Sequence, residues 1–151
     1  MKSNIYIQIL IAVSFAVLLS ACSTRVAIEN VDFAQPLETV VQADSDGQVF
    51  DVRSGVSFNV LSLLENEGLN ASEFANTDIR MIRNHQGYYF VTAAGFRNVY
   101  VMKTRENELR SENIIRISAD RMENPALNQR NPYIQLVYGN RSVNLSKNGI
   151  Q

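Results

Sequence analysis

The chain holds one histidine, His85, and one cysteine, Cys22. An imidazole works as a general acid or base only beside a nucleophile to activate or a carboxylate to orient it. His85 falls in Asn84-His85-Gln86-Gly87, a glycine-closed turn between apolar segments, so it reads as a solvated turn residue. One cysteine excludes an internal disulfide and any multi-cysteine metal site. Metal chemistry would then have to be built from oxygen. Asp44-Ser45-Asp46-Gly47 places oxygens at alternate positions before a glycine, as the middle of a calcium loop does. Aligned on Gly47, the first ligand position falls on Gln42 and the final bidentate acid on Arg53, so a turn is the better reading. The sequence has no Gly-x-Ser-x-Gly elbow and no Gly-rich phosphate cradle. No pair of carboxylates carries a local signature for glycoside cleavage. The expectation is therefore no catalytic residue, no metal and no cofactor.

Charge and aromatic residues offer binding chemistry instead. Residues 26–78 hold ten acids against one base, Arg53, whereas residues 79–151 hold nine Arg and two Lys against five acids. Two readings stay open. Strands from the two halves pair and their charges mix, or the second half forms a basic face that meets phosphates or carboxylates. Arginine forks suit such groups, and Arg105 and Arg110 flank what reads as a charged loop. Seven aromatics, Tyr88, Tyr89, Phe90, Phe96, Tyr100, Tyr133 and Tyr138, crowd the same half. In a strand, adjacent Tyr88 and Tyr89 point to opposite faces. Either both faces are covered, or one ring is left to stack on a sugar or peptide. Arg105, Arg110, Tyr88 and Tyr89 are thus the candidate partner-binding residues.

The cysteine has a context of its own. Lys2 precedes an apolar run over residues 5–19, broken only by Gln8 and Ser14, and small residues follow. That order describes a secretory signal peptide. A membrane-spanning helix needs about 20 apolar residues, and the stretch over residues 5–21 is only 17 residues long. Leu19-Ser20-Ala21-Cys22 resembles the lipobox of bacterial lipoproteins. The resemblance covers four residues. It implies that the leader is removed before Cys22, that the thiol is diacylated and that the new amino terminus is usually acylated too. Each buried methylene contributes about 0.8 kcal/mol, so two or three chains make a permanent anchor. Ser23, in place of the Asp that favours inner-membrane retention, resembles an outer-membrane passenger. The implied location is the cell envelope, facing the periplasm, where nucleic acid is no partner.

Three segments are expected: a leader over 1–21, an acylated cysteine and tether over 22–35, and one globular domain over 36–151. Residues 23–30 read as a tether or an edge strand. Residues 37–41 and 48–52 alternate in polarity, and the Asp-Gly between them predicts a hairpin. Asn59 is a cap for a helix over about 59–67, ended by Gly68. Asn70-Ala71-Ser72-Glu73 resembles a capping box for a short second turn. Strands follow over 79–83, 88–93, 98–104 and 112–118, with a loop over 105–110. Residues 122–131 read as irregular. Gly139-Asn140 joins a last pair whose apolar residues are Ile134, Leu136, Tyr138, Val143 and Leu145. The expected fold is α+β, mainly antiparallel β, with about eight strands in one sheet or a small sandwich and one helix.

Without a catalytic constellation, the sequence points to a membrane-anchored binding or assembly factor of the bacterial envelope. Its partner would be an envelope protein or an anionic envelope polymer. A carboxylate-dependent hydrolase of wall glycan and an accessory part of a secretion or pilus machine are the alternatives. Cys22→Ser is expected to leave an uncleaved precursor without acyl label. Normal processing and unchanged membrane fractionation of that variant would refute the anchor.

Overall fold

The computed structural model describes residues 32–74 and 76–151. The leader, Cys22 and the tether or edge-strand reading of residues 23–30 lie outside the described residues. Seven strands form the larger sheet: β1 (Thr39–Val41), β2 (Gln48–Asp51), β3 (Val56–Asn59), β4 (Ile79–Arg83), β5 (Tyr88–Ala93), β6 (Asn98–Arg105) and β7 (Glu108–Arg116). Their order is β1-β4-β5-β6-β7-β3-β2. All pairings are antiparallel except β3 with β7, which run parallel and meet at Ser57 and Glu108. The two edges, β1 and β2, meet through the turn at residues 44–48, so the sheet nearly closes into a barrel. A smaller antiparallel sheet has the order β11-β10-β9-β8, from β8 (Ala126–Arg130), β9 (Tyr133–Tyr138), β10 (Arg141–Ser146) and β11 (Gly149–Ile150). Helices α1 (Leu61–Glu67) and α2 (Ala71–Phe74) lie between β3 and β4. The α+β, mainly antiparallel class read from the sequence is the class observed.

Both sheets share one apolar core. Tyr89, Phe90, Val91, Thr92 and Ala93 of β5 are buried without a break, the mark of a strand covered on both faces. Leu127, Ile134, Leu136 and Leu145 of the smaller sheet join the same cluster. Glu38 fastens the sheets together: its carboxylate accepts from the Arg80 guanidinium of β4 and, at 2.8 Å, from the Leu127 N–H of β8. Leu37 adds a bridge to Asn128.

Several local expectations need correction. The segment at Asp44-Ser45-Asp46-Gly47 is a turn, with Asp44 Oδ1 accepting from the N–H groups of Asp46 and Gln48. It does not close a hairpin, because β1 pairs with β4 and β2 with β3. The true hairpin partner of β2, strand β3, lies where the sequence shows only the approach to a helix. Gly47 is needed for another reason as well: at φ +75°, a Cβ there would stand 2.6 Å from Leu61 Cγ. Residues 105–110 are no loop. Glu106 and Asn107, both at positive φ, make a two-residue turn, and Arg105 and Arg110 lie within β6 and β7. Positive φ at both central residues is the primed-turn geometry that fits strand twist. Residues 126–130 form β8, in a stretch read as irregular. With β3, β8 and β11 added, eleven strands stand among the described residues where about eight were expected. The turn at residues 84–87 and the tight connection at Gly139 (φ +52°) are as expected.

Helix α1 is capped as the sequence suggests. Leu61 N–H donates to Asn59 Oδ1 at 2.8 Å, although Val60 occupies the formal cap position. Gly68 is left-handed, and Leu69 N–H closes back on the Leu64 carbonyl at 2.9 Å, a Schellman end. The last helical residue, Glu67, is buried. Its carboxylate accepts from Arg97 N–H (2.7 Å), Asn98 N–H (3.1 Å), Asn98 Nδ2 (2.8 Å) and Tyr100 Oη (3.1 Å). Among the described residues no Lys or Arg pairs with it.

Removing this acceptor strands several buried donors at once. Glu67→Ala is expected to destabilise the domain by about 3 kcal/mol or more, read from urea unfolding. Tyr100 supplies a pH signature. Burial pushes its hydroxyl well above the usual phenol range, the charge of Glu67 and their hydrogen bond push the same way, and the Asn98 bond opposes. A raised folded pKa means the contribution is complete below about pH 10 and lost as pH rises above it. The stability gap between the parent and Tyr100→Phe should therefore shrink by about 1.4 kcal/mol per pH unit beyond that point. A gap independent of alkaline pH would contradict the assignment.

Candidate anion-binding cleft

Antiparallel pairing brings the ends of β4, β5 and β6 together, and two cations, Arg83 and Lys103, lie in this region. Arg83 ends β4 and faces Tyr89 of β5 across the ladder. Lys103 of β6 faces Tyr88 of β5. Residues 33–35 run along the end of β4. Phe33 N–H donates to the His85 carbonyl (3.3 Å) and Gln35 N–H to the Arg83 carbonyl (2.8 Å). Arg83 N–H returns to Gln35 Oε1 (3.0 Å), and Arg83 Nε donates to the Phe33 carbonyl (2.7 Å). The guanidinium then lies between two rings, 5.6 Å from the Phe33 centroid and 5.5 Å from that of Tyr89. Such stacking suits arginine and fixes its plane. Gly87, at φ +83°, lies beside the Phe33 ring, which sits 3.6 Å from where a Cβ would stand.

In front of this sandwich is an open cavity of about 440 Å³. Its charged lining is Arg83 and Lys103, and Ser54, Gln86, Thr104 and Asn107 add neutral polar groups. Among the described residues no Asp or Glu lines it. A second, smaller hollow of about 240 Å³ adjoins Tyr88 and Lys147. The Tyr88 ring connects the two: Lys103 Nζ is 5.1 Å and Lys147 Nζ 5.0 Å from its centroid, and Lys147 Nζ reaches Tyr88 Oη at 3.4 Å. Neither lysine nor Arg83 forms an ion pair among the described residues. Glu112 shares the smaller hollow with Lys147, whereas Arg83 and Lys103 lie against rings with no carboxylate among the described residues in their cavity wall, which leaves an electrostatic demand that an incoming anion can satisfy.

The structure sorts the sequence candidates. Tyr88 and Tyr89 are brought to the site and play different parts. Tyr89 is buried, with a hydroxyl that finds no partner among the described residues, and Tyr88 is half-buried between two ammonium groups. Arg105 and Arg110 are not in the cavity wall. Arg105 pairs with Glu112 at 2.8 Å and Arg110 with Glu108 at 3.6 Å, all in the same hairpin. Their expected freedom to reach a partner from a loop is corrected by β pairing, which sets acids and bases side by side. Of the charge asymmetry, the Arg80–Glu38 pair is the one ion pair among the described residues that joins the two halves. His85 is half-buried, and its Nδ1 has no hydrogen-bond partner among the described residues. No group of three His, Cys, Asp or Glu side chains could hold a metal ion among the described residues.

Phe33, Arg83, Lys103 and Lys147 were not singled out from the sequence. Arg83 carries a weak signal, as the last residue of a strand before a clear turn. Phe33 carries none, since it meets Arg83 from 50 positions away. Compared with known protein families, curated proteins and solved structures, the chain matches none.

Proposed function

We propose that the protein is a lipid-anchored envelope lipoprotein whose domain is a binding or assembly factor, and that it engages an anionic group through the Arg83–Lys103 cleft. The leader and lipobox supply the address and the anchor. The observation that carries the binding role is the cavity itself, with two cations, four neutral polar side chains and, among the described residues, no carboxylate. Phosphate and carboxylate both match this chemistry, because a guanidinium offers paired donors and an ammonium a mobile one. A hydrolase of wall glycan would need two facing acids in its groove, and this cavity presents none.

The detergent-solubilised full chain is expected to bind phosphate-bearing or carboxylate-bearing beads, and to release as salt rises through a few hundred millimolar. Lys103→Glu should weaken that binding about tenfold or more, since reversal replaces attraction with repulsion at the contact. Arg105→Glu should change it less than about twofold, because an exposed, already paired arginine contributes little. If Arg105→Glu matched Lys103→Glu in effect, binding would reside on the β6–β7 hairpin and not in the cleft.

A further inference from the structure

Resting on the lipoprotein reading, we infer that the cleft docks on the phosphate headgroups of the membrane that holds Cys22, and so sets the orientation of the domain on that membrane. The argument starts from Phe33, which is both the cleft wall and nearly the first described residue. Eleven residue steps separate it from Cys22, a reach of at most roughly 40 Å when fully extended. A folded domain of this length is about as wide as that reach. The described chain therefore begins at the cleft wall, so this end of the sheet is the one that the sequence connects most directly to Cys22.

The chemistry at that end fits a headgroup layer. Arg83 and Lys103 line the cavity, and Lys147 extends the cationic row past Tyr88. Tyr88 is half-buried and Phe33 exposed, so two rings stand among the cations. Aromatic rings interleaved with basic side chains are suited to the boundary between headgroup and water. A few cations suffice because the anchor already supplies a high local lipid concentration, so each contact need only bias an intramolecular equilibrium.

The test uses the full lipidated chain in vesicles of phosphatidylcholine, with or without phosphatidylglycerol. Amide hydrogen exchange reads the cleft through the N–H groups of Phe33, Gln35 and Tyr88. Phosphatidylglycerol is expected to protect these amides and leave β9 and β10 unchanged, and added salt should reverse the effect. Lys103→Gln should lower the docked-to-free ratio about fivefold. It is the decisive variant, because among the described residues the Lys103 ammonium is set only against the Tyr88 ring, whereas Arg83→Gln would also remove the bond to Phe33. Equal exchange in both vesicle types, with acyl mass present on Cys22, overturns the docking while leaving the lipoprotein reading in place. Equal protection by inorganic phosphate in phosphatidylcholine vesicles overturns it in favour of a small soluble ligand, and by soluble wall fragments in favour of a wall partner. Absence of acyl mass on Cys22 overturns the lipoprotein reading and the docking with it.

Discussion

A single buried carboxylate sets the geometry on which the larger sheet depends. Glu67 sits at the last position of α1, where its charge opposes the helix dipole at a cost of about 0.3–1 kcal/mol. No cation neutralises it among the described residues. What holds it is four donors, two of them backbone N–H groups at the start of β6. Hydrogen bonds to a charged group contribute about 1.5–3 kcal/mol each, so the donors outweigh the dipole penalty. The same contacts satisfy N–H groups just where the chain turns into β6, which would otherwise be buried without partners. Around them Phe96 stacks on Phe74 at 5.3 Å and meets Tyr100 edge-on at 5.8 Å. Tyr100 closes the arrangement, its one O–H shared between Glu67 and the Leu63 carbonyl at 3.1 Å each.

The consequence runs along β6. Asn98 is fixed by Glu67, and Lys103 lies five residues further on, roughly 17 Å along an extended strand. Between them the strand is buried from Asn98 to Met102 and becomes exposed at Lys103. The register of β6 against β5 is therefore locked by core packing at one end and expressed as a cation beside Tyr88 at the other. A slip of one residue would turn every side chain to the opposite face, and Lys103 would leave the cleft. At the β7 side the pairing shifts between Val101 and Met102, leaving Glu112 as the extra residue. That irregularity places Glu112 within reach of Arg105.

How much of this was readable from sequence follows the range of the interactions. Local devices were legible. Asn59, Gly68, the 84–87 turn and Gly139 announce themselves because their chemistry is satisfied within a few residues. Pairings with distant strands were not. The Asp46-Gly47 step has the composition of a hairpin turn, yet the neighbours of β1 and β2 are chosen by burial of Ile79, Met81, Val49 and Phe58 elsewhere in the chain. Glu106-Asn107 escaped notice because Glu is an unusual residue at positive φ. Composition drew attention to the basic half and to two tyrosines, which the fold sets beside Arg83 and Lys103. It could not separate Arg105, which finds Glu112 across the ladder, and Arg110, which finds Glu108 two residues along the same strand, from cations that pair with no carboxylate among the described residues.

That separation is the last physical point. Within β6 and β7, Arg105 is neutralised by Glu112 on the paired strand and Arg110 by Glu108 on its own strand. Exposed pairs of this kind contribute little to stability. They do, however, lower the field of the hairpin and limit its appeal to a distant anion. Arg83, Lys103 and Lys147 are stabilised differently, by π faces and, for Arg83, by a backbone carbonyl. A π face holds a cation in position without cancelling its charge. The protein thus keeps its cations ordered and their charge outwardly effective, the combination that an anion-binding cleft requires. A carboxylate partner would have supplied the order and removed the field.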